Sequence, residues 1–87
     1  MARFLKLENG IVINAEVHNS KPNDTEAYTY HDALNYIGIG WELTDAGWVN
    51  PSAAPFGPKR VDLDGNVTKW LDSTGEVETD TQTDPTP

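Results

Sequence analysis

The sequence predicts an all-β protein, a small antiparallel meander of about five short strands with an irregular acidic C-terminal tail. Three observations carry that expectation. Apolar runs with strand-like alternation flank Asn9-Gly10, the strongest short hairpin signal. A second Gly-containing reversal, Thr44-Asp45-Ala46-Gly47, lies between Trp41 and Trp48. A third, Asp64-Gly65-Asn66, separates Val61 from Trp70. The hairpins therefore fall at residues 8–10, 44–47 and 64–66, within a β domain at residues 1–71 followed by a tail at 72–87.

The first hairpin joins residues 3–7 to residues 11–17. A two-residue loop pairs Glu8 with Ile11 and Lys6 with Ile13, mixing charge with apolar side chains. A three-residue loop, with Gly10 left-handed as a bulge, pairs Leu7 with Ile11 and Leu5 with Ile13. The bulged register is preferred because it gathers those four with Ala15 and Val17 on one face, leaving Val12 among Lys6, Asn14, Glu16 and His18. Residues 19–26 are polar and read as a loop. Tyr28 and Tyr30 suit a strand over residues 27–30, after which residues 32–36 fit a turn or a single helical turn.

In the central hairpin, Thr44 opposite Trp48 and Leu43 opposite Val49 put Trp41, Leu43 and Val49 on one face. Trp48 then lies on the other, as an exposed candidate anchor for a partner. Pro51 closes this unit, and residues 52–58 form a stiff connector from which Phe56 is expected to plug back onto the apolar face. The last hairpin pairs Val61 with Trp70 and Asp62 with Lys69. It echoes the central one, a likeness that shared hairpin chemistry explains as well as duplication. Past Asp72 the chain has no basic residue, and Val77 is its one sizeable apolar side chain. Residues 76–78 suit a short edge strand; the rest is expected to be disordered alone, with too little area to offset its chain entropy.

Size and charge bound the function. A domain of roughly 60–70 residues buries only about 60% of its unfolded surface, so it needs reinforcement. The chain has no cysteine for disulfides and no evident cluster of metal ligands, which leaves a partner subunit. A net charge of −8, with Arg3, Lys6, Lys21, Lys59, Arg60 and Lys69 scattered, argues against nucleic acid. No apolar run approaches the ~20 residues of a spanning helix. The opening residues lack the apolar core of a signal peptide, so synthesis in the cytoplasm without export is expected.

Asp62-x-Asp64-x-Asn66 has the first three spacings of a calcium loop, but its glycine is at the fourth position and Ser73 stands at the twelfth. Turn chemistry explains it better. His18 and His31 are expected to be solvated surface residues, and no pair of acids sits in a cleft-like apolar context. No catalytic, cofactor or metal residues are assigned. The aromatics, with Tyr28, Tyr30 and Tyr36, suit either a core or a sugar-stacking platform. Trp41, Trp48, Phe56 and Trp70 are the candidate partner-binding residues.

The opening Ala2-Arg3-Phe4-Leu5-Lys6-Leu7-Glu8-Asn9-Gly10-Ile11-Val12-Ile13-Asn14, the later Gly38-Ile39-Gly40-Trp41, and a Gly-Trp hairpin closed by Pro51 form a pattern. It resembles small virion-associated proteins of tailed bacteriophages. Leu43 and Trp48 stand where that pattern often carries Tyr and Phe. The resemblance covers residues 2–51 and implies a non-enzymatic structural or accessory virion role in many copies. Tail or fibre attachment is slightly favoured over capsid decoration. Other virion proteins would be the partners. The alternatives are a glycan-binding module using Asp45 and Asn50 beside the aromatics, or a soluble tail-fibre assembly chaperone.

Overall fold

The computed structural model describes residues 1–82; the expectation of disorder for residues 83–87 lies outside the described residues. Eight strands alternate with turns: β1 (Ala2–Glu8), β2 (Ile11–His18), β3 (Thr29–Asp32), β4 (Glu42–Thr44), β5 (Gly47–Val49), β6 (Pro58–Val61), β7 (Val67–Leu71) and β8 (Glu78–Thr79). All pairings are antiparallel, in the spatial order β3-β1-β2-β4-β5-β6-β7-β8. There is no helix among the described residues, so residues 32–36 contain no helical turn. The strand count exceeds the expected five because several strands are only two to four residues long.

The first hairpin corrects the preferred register. Asn9 and Gly10 both take positive φ, 53° and 79°, which makes a two-residue primed turn with Glu8 opposite Ile11 and Leu7 opposite Val12. Asn tolerates the left-handed region, so no third loop residue is needed. A bulge does occur, but further along, at Ile13, where the pairing passes from Leu7–Val12 to Lys6–Asn14. It restores the inward parity of Ala15 opposite Leu5 and leaves Ile13 and Val17 exposed, while Val12 is buried. Strand β3 begins two residues later than expected and pairs with β1, setting His31 opposite Leu5.

The central hairpin is also re-registered. Asp45-Ala46 is the loop, Thr44 faces Gly47, and Leu43 faces Trp48. A one-residue slip moves a side chain to the other face. Trp48 therefore turns inward with Leu43, at 2% exposure, and Trp41 is buried nearby. In the last hairpin Val61 faces Val67, Arg60 faces Lys69 and Pro58 faces Trp70. The predicted pairing of Val61 with Trp70 fails because Asp62 is drawn into the turn, where its carboxylate accepts the N–H groups of Asp64 and Asn66.

The sheet does not end at residue 71. β8 pairs with β7 through Leu71–Glu78 and Trp70–Thr79, and Arg60–Glu78 and Lys69–Asp80 ion pairs tie it down. The connector lies against this end: Phe56 donates its N–H to the Asp72 carbonyl, and Leu71 donates to Gly57.

Curvature decides where the core forms. Three strands separate β3 from β5, so a flat sheet at about 4.8 Å per strand would hold them about 19 Å apart. The His31 and Trp48 ring centroids are nevertheless only 5.7 Å apart, edge to face. The sheet coils until its β3 edge meets β5, helped by bulges in the β1–β2 and β6–β7 pairings, which add local twist. Inside the coil, Leu5, Leu7, Val12, Ile37, Trp41, Trp48 and Val61 form one apolar core, and no polar residue is buried among the described residues.

Candidate functional site

Where the β3 edge meets β5, no ladder of hydrogen bonds closes the sheet, and the coil keeps an open-sided seam. A cavity of about 270 Å³ lies along it. Its apolar wall comes from Trp48 on β5, Leu43 on β4 and Leu34 just past β3. Leu34 lies beside Gly65 at the tip of the last hairpin, at ordinary packing distance. Leu63, from the same turn, stands on the rim at 61% exposure. The polar lining is Lys21 from the β2–β3 loop with His31 and Asp32 from β3.

His31 is half-buried against the Trp48 indole. Burial holds its pKa below the ordinary 6.5, and the Lys21 ammonium adds to that, while Asp24 and Asp32 work in the opposite direction. A depressed folded pKa means the unfolded chain takes up the proton first. Stability is therefore expected to be level above pH 6.5 and to fall as pH drops below that value. The carboxylates of Glu16, Asp72, Glu78 and Asp80, all held below their usual range by hydrogen bonds, contribute a second loss at more acid pH. Urea midpoints between pH 8 and 5 check this: the upper step should vanish in His31→Gln, and an unchanged step would assign it elsewhere.

A second cluster occupies the opposite side of β1, β2 and β3. Glu16 accepts hydrogen bonds from Asn14 at 3.0 Å and pairs with His18 at 2.8 Å, which, with Lys6 at 3.9 Å, keeps it ionised. Lys6 also sits over the Tyr28 ring at 4.2 Å, and His18 bridges Phe4 and Tyr30. Its polar groups satisfy one another, so this face reads as a polar cover that buries Phe4. Neither histidine is the freely solvated residue the sequence suggested.

The four sequence-predicted partner residues separate. Trp41 and Trp48 are core, which corrects the expectation of an exposed Trp48. Phe56 does not plug into that core; it is half-buried at the connector with φ of 60°, and its carbonyl accepts the Gln82 amide. Trp70 is half-buried under Tyr36, whose ring stands edge-on at 6.2 Å with φ of 77°. A side chain held in the left-handed region is uncommon, and here it presents a tyrosine outward. Sequence reasoning missed Leu63 and Ile39 as exposed apolar residues, and it named Tyr36 only among the aromatics of a core or a stacking platform. Leu63 carried a signal, since an apolar residue between two aspartates in a turn breaks the polar pattern of loops.

Asp62 spends its carboxylate on backbone N–H groups, and no group of three acidic, histidine or cysteine residues that could hold a metal occurs among the described residues. The fold and site thus define a coiled antiparallel sheet with an open, apolar-walled seam. No protein-family model, no curated protein and no solved structure matches the chain.

Proposed function

We propose that this chain is a non-enzymatic accessory component of a tailed-bacteriophage virion, docking on a neighbouring subunit in many copies. Attachment at the tail or fibre is slightly favoured over capsid decoration. The observation that carries the docking role is the set of apolar side chains left outside a small core. Ile39 and Leu63 are 67% and 61% exposed, with Tyr36 and Val77 each at 56%. An edge-to-edge coil with an open seam gains most from a neighbour that covers such residues. The virion setting rests on the two-hairpin resemblance in residues 2–51. The glycan reading has less support, since Trp41 and Trp48 offer no open ring face for stacking. Mass spectrometry of purified particles tests the proposal: the chain should be present in many copies per particle. Presence in the soluble lysate and absence from particles would replace this reading with the assembly chaperone.

A further inference from the structure

The seam cavity has the size of a socket for one side chain. At about 270 Å³ it falls below the roughly 300–1,000 Å³ of clefts that enclose a drug-sized ligand. Leu34, Leu43 and Trp48 make its wall apolar, and exposed Leu63 extends that surface outward. On the lining Asp32 and Lys21 balance, and the acids beyond it, Asp24 acting on His31 and exposed Asp64 following Leu63, tip the surroundings negative. The chain as a whole carries −8. A partner surface that fits must supply apolar volume at the centre and positive charge around it.

Resting on the docking role above, we propose that the seam receives one large apolar side chain of a neighbouring subunit, flanked in that subunit's sequence by arginine or lysine. The apolar side chain displaces water from Leu34, Leu43 and exposed Leu63, over the buried Trp48, and carries most of the affinity. The flanking cations meet Asp32 and Asp64 at the rim, where they set orientation and association rate. Lys21, exposed like Asp32, repels a cation on its own side of the mouth, so the charged groups sit toward Asp32 and Asp64 while the apolar one enters.

The test uses the isotopically labelled full chain and three blocked peptides, Arg-Leu-Arg, Arg-Ala-Arg and Glu-Leu-Glu. The readout is the NMR signal of the Trp48 indole N–H and the methyl groups of Leu34, Leu43 and Leu63. Arg-Leu-Arg should shift these signals saturably with a Kd on the order of 1 mM, and the other two should bind about tenfold more weakly. The double variant Asp32→Asn with Asp64→Asn should lose about tenfold for Arg-Leu-Arg at low salt and little at high salt. Equal binding of all three peptides, or no saturable shift at these nuclei, would overturn the socket. The two readings fail separately. A chain found in particles but blind to the peptide keeps the docking role and loses the socket, and a chain that binds the peptide but is missing from particles does the reverse.

Discussion

Trp48→Ala is expected to unfold the isolated chain or leave it barely folded. Trp48 is 2% exposed, faces Leu43 and Val61 across its two neighbouring strands, and takes the His31 ring edge-on. One side chain thus joins β4, β5 and β6 to the far edge strand β3. Truncating a buried tryptophan costs about 3–5 kcal/mol through lost transfer energy and the cavity left behind. A domain of this size has about 4–12 kcal/mol of total stability, so that loss is most of it. Urea denaturation followed by far-UV circular dichroism reads the effect. Leu63→Ala serves as the contrast, since at 61% exposure it should change stability by no more than about 0.5 kcal/mol. A Trp48→Ala chain with an unchanged midpoint would show that the coil does not depend on this residue.

Gly47→Ala is expected to be nearly as damaging, for a backbone reason. Gly47 has φ of 130°, a conformation that side chains rarely adopt. A Cβ there would run into the Val61 carbonyl oxygen and stand 3.0 Å from the Asp62 Cα. Both neighbours are main chain, so neither moves without parting β5 from β6 and undoing the Trp48–Val61 pair. Dihedral strain and overpacking each cost about 1–3 kcal/mol, and here they act together, for about 3 kcal/mol or more. Gly38→Ala is the control. Its Cβ would meet nothing within 4 Å, so the substitution should be neutral or stabilise by about 0.5 kcal/mol through the unfolded chain. Thermal unfolding of the pair separates them: similar melting temperatures would mean that the close approach at Gly47 is not required.

The candidate site was only partly legible in the sequence. Trp41, Trp48 and Trp70 stood out by their area, but whether an indole packs inward or faces a partner depends on register, and Trp48 went inward. His31 gave no warning in its neighbours Tyr30 and Asp32, because what matters is Trp48, many residues away and on a strand that is distant in the sheet order. Lys21 and Leu34 belong to segments that look like plain loop, and only the coil sets them on the same cavity.

By itself the sequence determined that the chain is all-β and where it reverses, at Asn9-Gly10, before Gly47 and around Gly65. Turn residues act through their own dihedral angles, so their meaning survives without knowledge of the rest of the molecule. Tertiary structure decided the register of the central hairpin, the bulge at Ile13, the inward turn of Trp48 and the closure of β3 onto β5. A strand repeats every two residues, so a slip of one exchanges its two faces at little local cost. Only the shared core of Leu5, Leu7, Val12, Trp41, Trp48 and Val61, closed over from both ends of the sheet, distinguishes one register from the other.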